Sequence, residues 1–143
     1  MDYLKVLVEE IHSVVVATVD EKGHPHTAVM DMMWEDGKTV YFLTADFNPL
    51  YKRLKEDGRV AVTGMTQGAG TMDRKSISLT GQVEWIGKEH LEELLKANPY
   101  MYEIYPTEEG RSHLQVFRFK NAVGNFYYLT QLPPYQARFE IEG

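Results

Sequence analysis

The chain contains no cysteine. That removes disulfides, a thiolate nucleophile, a cysteine-ligated iron–sulfur cluster and a cysteine-type zinc site. No apolar run approaches the ~18 residues that a membrane span needs. The opening Met1-Asp2-Tyr3-Leu4-Lys5 lacks the basic-then-apolar order of a secretory signal. A cytoplasmic protein with no membrane partner is therefore expected. Positive charge is short too: 15 Lys and Arg stand against 21 Asp and Glu, a net charge of −6. A surface of that sign argues against nucleic acid or anionic membrane as the main partner. Internal repeats, low-complexity tracts and linkers are absent, so a single domain over residues 1–143 is expected.

Catalytic signatures are missing as well. There is no Gly-x-Ser-x-Gly elbow and no Gly-Lys-Ser/Thr phosphate loop. Gly68-x-Gly70-x-x-Asp73 fails the dinucleotide fingerprint, because its third position is not glycine and no helix follows. His24-Pro25-His26 is the one close histidine pair, but no third ligand has matching spacing. No catalytic side chain and no metal site are assigned. His26 alone is kept as a candidate, since a strand histidine can donate to a bound anion or carbonyl.

What is present is a β-rich pattern. Leu4, Leu7, Val8 and Ile11 fall at helical spacing, which predicts a short amphipathic helix over 2–11. Strands are expected at Ser13–Asp20, His26–Trp34 and Thr39–Thr44, the last two joined through Asp36-Gly37 as a hairpin. Asn48-Pro49 opens a helix with Leu50 and Leu54 inward. Strands follow at Arg59–Thr66 and Lys75–Ile86, the second with a bulge or bend at Gly81, and then a helix at Lys88–Ala97. Residues 98–111 read as irregular. His113–Lys120 and Phe126–Thr130 read as the last strands, with regular structure ending at Pro133-Pro134. Six or seven antiparallel strands with three short helices point to a mainly β barrel rather than a doubly wound sheet.

One junction carries chemistry. Thr44 ends a strand and an N-capped helix begins four residues later, with Lys52 and Arg53 just inside it. Such a junction presents hydroxyl and backbone N–H groups to an anion. The other reading is a plain hairpin-to-helix connection with solvated basic side chains. Of the two, Arg53 lies nearer the Leu50 face by helical geometry. Tyr100, Tyr102 and Tyr105 line a ligand pocket or fill a subunit interface.

The stretch from Asp20 to Val62 resembles the pyridoxamine 5′-phosphate oxidase-like, FMN-binding split-barrel superfamily. The resemblance rests on Asp20, Gly23, Pro25, His26, Trp34, Asp36, Gly37, Phe42, Thr44, Leu54, Lys55 and Val60, then on Lys75–Val83 with its Gly81 and on the closing VFRFKNAVGNFYYLT. It covers nearly the whole chain. It implies a six-stranded antiparallel split β-barrel that forms a homodimer with FMN at the subunit interface. His26, Thr27, Ala28 and Val29 would then lie beside the flavin, with Thr44, Ala45 and Asn48 near its phosphate. Arg74, Lys75 and Ser76 would come from the partner subunit. Where many members carry a basic residue soon after the threonine, this chain reads Asn48-Pro49-Leu50, so Arg53 or Lys52 would take that charge. Tyr100 or Tyr102 would cover the substrate. The end, Gln131-Leu132-Pro133-Pro134-Tyr135, lacks the authentic oxidase's arginine- and histidine-rich segment. The resemblance is therefore to the flavin-reductase and nitroimidazole-resistance-like branch. It implies an FMN-dependent oxidoreductase that takes electrons from a donor such as NAD(P)H and passes them to a small acceptor. The alternative is a non-catalytic binder of flavin, haem or deazaflavin, with His26 or His113 as the axial ligand in the haem case.

Overall fold

A computed structural model describes residues 1–143. The architecture is mainly β with short helices. One antiparallel sheet runs in the order β2-β1-β5-β6-β7-β4-β3, with β8 added on β7. The strands are β1 (Ser13–Val19), β2 (Pro25–Asp31), β3 (Trp34–Glu35), β4 (Val40–Ala45), β5 (Arg59–Met65), β6 (Lys75–Gly87), β7 (Leu114–Tyr128) and β8 (Tyr135–Glu142). The helices are α1 (Tyr3–Lys5), α2 (Pro49–Glu56), α3 (Leu91–Ala97), α4 (Met101–Ile104) and α5 (Glu108–Arg111). No helix is long and apolar enough to cross a membrane.

The sheet curls so that its concave side encloses the larger core. Phe42, Phe117, Phe119 and Phe126 pack there with Leu7, Leu50, Leu54 and the inward residues Val14, Val16, Val60 and Val62. Alternation along β1 and β5 sorts these side chains to one face. A second core lies behind β4 and β7, where Tyr41, Leu43, Leu114 and Val116 meet Leu94, Leu95 and Met101. Helices on one side and the barrel interior on the other bury all six residues of β4. Asn98 locks this layer: its Nδ2 donates to the Met33 and Leu94 carbonyl oxygens at 2.9 and 2.8 Å.

Several expectations are revised. The sheet holds eight strands, not six or seven. The N-terminal helix is a single α turn that widens into a π-helical turn over Val6–Ile11, closed by His12 N–H on Leu7 O. The second strand stops at Asp31, because Met32 N–H bonds His12 O and Met33 N–H bonds Tyr41 O. The Asp36-Gly37 hairpin thus joins the two-residue β3 to β4, not a long second strand. Residues 98–111 contain the helical turns α4 and α5. The two closing strands are one continuous strand, β7. Gly124 sits inside it opposite Phe139, whose ring would lie 2.4 Å from an added Cβ, so this glycine marks a close approach and not a turn. The tail past Pro133-Pro134 is β8, with Ala137, Phe139 and Ile141 turned inward.

Candidate functional site

The β1–β2 hairpin organises what the chain can offer a ligand. β2 ends the sheet, so its outer backbone edge has no strand partner. Asp20 shapes the turn: Oδ1 accepts from the Lys22 and His24 backbone N–H groups at 2.9 Å, and Oδ2 accepts from His26 Nε2 at 2.8 Å. The His26 bond first, then the His24 and Lys22 amides, hold the Asp20 carboxyl well below its usual value, at about 2.

Beside that turn, α2 closes a polar cleft of about 430 Å³ lined by Asp20, His24, His26, Pro49, Lys52 and Arg53, among others. Asn48 caps α2 by accepting from Leu50 N–H at 3.1 Å, and Pro49 takes the first helical position. Arg53 is fixed from below: its Nε donates to Thr18 Oγ1 at 2.8 Å, and Thr18 is 3% exposed. The Nη groups of Arg53 make no hydrogen bond or ion pair within the chain. Lys52 stands 4.0 Å from Glu56, at the outer limit of an ion pair. The cleft collects Lys22, Lys52, Arg53 and two histidines against three carboxylates, with Asp20 already occupied by three donors. That set fits the anionic tail of a ligand.

A second cleft, of about 650 Å³, opens at the other end of the hairpin. Val15, Val29 and Met65 give it an apolar floor, and Ser13, Thr63, Ser76 and Arg74 give it polar edges. The two clefts share no lining residue.

Next to the second cleft lies a hydrogen-bonded chain. Ser13 Oγ donates to Asp31 Oδ1 at 2.7 Å, and the Tyr100 hydroxyl donates to Asp31 Oδ2 at 2.8 Å. His12 Nε2 lies 2.8 Å from that hydroxyl, and its Nδ1 lies 2.9 Å from Val8 O. His12 has φ 63°, a left-handed backbone at the end of the π-helical turn. Burial, then the bond to Asp31, pushes the Tyr100 phenol well above its usual value.

The structure therefore separates the residues singled out in the sequence. His26, Lys52 and Arg53 meet in the first cleft, with Asn48 capping the helix that walls it. Val29, Arg74 and Ser76 of the same chain line the second. Thr27 is exposed on β2 and Ala28 packs partly against the core. Thr44 and Ala45 are buried in β4 and line neither cleft. Lys75 turns away to Glu10 at 2.8 Å. Tyr100 is a bridge between elements, and exposed Tyr102 stacks under Arg111 with a 5.0 Å separation. Thr18 and Asp20 had no assigned role. Thr18 carried a legible signal: a hydroxyl at the inward position of Val14-x-Val16-x-Thr18.

Comparison with known proteins adds the family. Residues 2–128 match the family described as pyridoxamine 5′-phosphate oxidase. No curated protein sequence matches significantly. Among solved structures, a NimC/NimA family protein from Clostridium acetobutylicum superposes with a TM-score of 0.76 at 20% identity, covering 98% of this chain and 95% of that one. A heme binding protein from Mycobacterium smegmatis gives 0.71 at 13% identity, covering 95% of this chain and 56% of that one. An F420 reductase gives 0.62 at 20% identity, covering 80% and 90%. At these identities the likeness establishes the fold.

Proposed function

The chain belongs to the pyridoxamine 5′-phosphate oxidase family, and from that premise we propose that it is an FMN-binding oxidoreductase. The observation that carries the reading is Arg53, anchored through Nε to buried Thr18 with its Nη groups left for an anion beside the free edge of β2. Arg53 and Lys52 would hold the phosphate, with His26 at the near end of β2. The unpaired backbone groups of β2 would receive the ring along Thr27–Val29, three residues or about 10 Å from His26. When bound, the flavin would carry hydride equivalents from a donor such as NAD(P)H to a small acceptor. The protein's own part is to fix the tail, to offer N–H and C=O groups to the ring edge and to leave the ring face open.

The outer face of β5 and β6 supports a homodimer in the same reading. Ala61, Ser78 and Thr80 project there without charge, and all three are exposed. Sedimentation at micromolar concentration checks this, and a monomer would remove it.

Titration with FMN and with riboflavin, which lacks the phosphate, tests the cofactor. FMN should bind at least tenfold tighter than riboflavin. Arg53→Met should abolish that difference while leaving riboflavin binding unchanged. Equal affinity for the two in the native protein, or no binding of either, would overturn the reading.

A second reading, haem binding, has one observation of its own. His113 Nδ1 faces Asp46 Oδ1 at 2.9 Å, which leaves Nε2 free beside exposed Phe47. A carboxylate on the far nitrogen is how metal-ligating histidines are commonly oriented. A Soret band on addition of hemin, lost in His113→Ala, would favour it over the flavin.

A further inference from the structure

We infer that His26 reads the ribityl chain and not the phosphate: its Nδ1 accepts a hydrogen bond from a ligand hydroxyl, and Asp20 is the positioning residue that keeps this nitrogen an acceptor. The inference deepens the flavin reading and rests on it. Asp20 Oδ2 lies 2.8 Å from His26 Nε2. The carboxyl is ionised down to about 2, and an ionised carboxylate only accepts. The hydrogen of that bond therefore belongs to Nε2. A neutral imidazole carries a single N–H, so Nδ1 is left with a lone pair and no hydrogen. The bond to Asp20 is the ring's one hydrogen bond within the chain, and 41% of the side chain is open to solvent. His24 differs: its Nδ1 stands 3.8 Å from the same oxygen, beyond hydrogen-bond reach, and its side chain is 72% exposed, so no tautomer is imposed on it.

The first cleft is thus sorted by hydrogen-bond sense. Lys52 and Arg53, on α2, have only donors to give, whereas His26, at the start of β2, turns an acceptor toward the ligand. A phosphate dianion has no hydrogen to offer, so its oxygens and Nδ1 would set lone pair against lone pair. A hydroxyl donates and satisfies the nitrogen. FMN is sorted the same way: an accepting phosphate, then a chain of hydroxyls, then the ring. With the phosphate at α2 and the ring along Thr27–Val29, the hydroxyl chain is the part that passes His26.

The test compares FMN, riboflavin and lumiflavin, in which a methyl group replaces the whole ribityl chain, at pH 8, above the ordinary imidazole value of about 6.5. His26→Leu should weaken FMN and riboflavin alike, by about three- to tenfold for one lost hydrogen bond, and leave lumiflavin unchanged. His26→Gln, whose amide N–H donates to Asp20 while its oxygen accepts, should recover most of that loss. Nitrogen NMR of the ligand-free protein gives a second readout. The ring hydrogen of His26 should sit on Nε2, and in Asp20→Asn, whose amide donates as readily as it accepts, it should spread over both nitrogens. A hydrogen on Nδ1 in the native protein, unchanged riboflavin affinity in His26→Leu, an equal loss for lumiflavin, or a loss confined to FMN would each overturn the assignment while leaving the flavin reading in place. Failure of the flavin reading looks different: none of the three flavins would bind the native protein, and the assignment would fall with it.

Discussion

Replacing Tyr100 with Phe isolates one hydroxyl that ties three parts of the fold together. It joins the start of α4 to Asp31 at the end of β2 and to His12 at the end of the π-helical turn. A hydrogen bond to a charged acceptor contributes about 1.5–3 kcal/mol. The carboxylate is not orphaned by the change, since Ser13 still donates to Oδ1 at 2.7 Å and His12 Nε2 stands 3.5 Å from Oδ2. The edge-on contact with the His12 ring, at 6.0 Å, depends on the ring and not the hydroxyl, so Phe keeps it. The expected loss at neutral pH is therefore about 2 kcal/mol, or roughly 6–10 °C in melting temperature for a chain of this length. The pH dependence carries the sharper test. The folded-state value of the Tyr100 phenol is raised, so its contribution is fully present below the ordinary tyrosine value of about 10 and is lost as pH climbs toward the folded value. The native protein's advantage over Tyr100→Phe should hold level to about pH 9.5 and then shrink. The slope cannot exceed the single-proton limit of about 1.4 kcal/mol per pH unit, and because water reaches and screens the group, the total loss is limited to the contribution of the one hydrogen bond. Tyr3 and Tyr41 are raised as well, but both proteins carry them and the difference cancels their effect. Urea unfolding of the pair from pH 7 to 11 measures it. A constant difference across that range, or a neutral-pH loss under about 0.5 kcal/mol, would refute the reasoning.

Three further outcomes follow from the same geometry. Gly81→Ala would put a Cβ 2.1 Å from Asn121 O and 2.6 Å from Ala122 Cα. Both are backbone atoms of the paired strand, so relief means breaking the β6–β7 ladder. A loss of about 3 kcal/mol or more in urea unfolding is expected, and an unchanged midpoint would contradict the packing. Thr18→Val keeps the volume of a buried side chain but frees Arg53. It should weaken FMN about three- to tenfold and riboflavin not at all, consistent with one lost hydrogen bond of ~1 kcal/mol. Asp20 is held at about 2 by His26 and the turn amides, so its stabilising effect is present above an ordinary aspartate value of about 3.9 and lost as pH falls toward 2. Melting temperatures of the native protein and Asp20→Asn should therefore differ above about pH 5 and converge near pH 2. Parallel curves over that range would show that the turn does not depend on the charge.

Most of the strand framework was legible, because alternation writes itself into sequence. Val14, Val16, Val60 and Val62 all point where a period of two sends them. β8 carried the same signal in Ala137-x-Phe139-x-Ile141, but the preceding Pro133-Pro134 reads locally as the end of regular structure. Gly81 was readable as an irregularity and the structure has a register shift just past it, at Gln82/Val83. Gly124 was not, since nothing local distinguishes a glycine that turns the chain from one that admits a crossing ring. The junction at Asn48-Pro49 and the inward Leu50 and Leu54 follow from capping and spacing alone. What tertiary structure added is direction. Thr44 looks like a strand-end hydroxyl, yet it falls on the same face of β4 as Val40 and Phe42, the barrel side, and is buried there. Arg53 looks like one of two basic side chains, yet only it reaches a buried anchor 35 residues earlier. Tyr100 looks like one of a trio, yet its partners lie 69 and 88 residues away.

The placement of both clefts against β2 has a common cause. An edge strand leaves a row of N–H and C=O groups unpaired, and proteins usually blunt such edges with charge, proline or a covering element. β2 carries Pro25 at one end and the bonded Asp31 at the other, but its middle, Thr27–Val29, has no such guard, and Val29 is the most exposed valine of the sheet. An unguarded apolar edge invites association with other chains unless something is meant to lie there. The guard beyond the turn end is the one a ligand would need: Arg53, held through Nε by Thr18 with no acid of the chain on its other donors. Filling the edge by a bound ring would satisfy the strand's free backbone groups. The phosphate on the same ligand would give Arg53 the counter-charge that the fold withholds. Protection of the Thr27–Val29 amides from hydrogen exchange should therefore rise on FMN binding and by less on riboflavin binding, with the β7 amides as an unchanged internal reference. Protection that rises equally with the two ligands would separate the ring from the tail and break the link between the edge and Arg53.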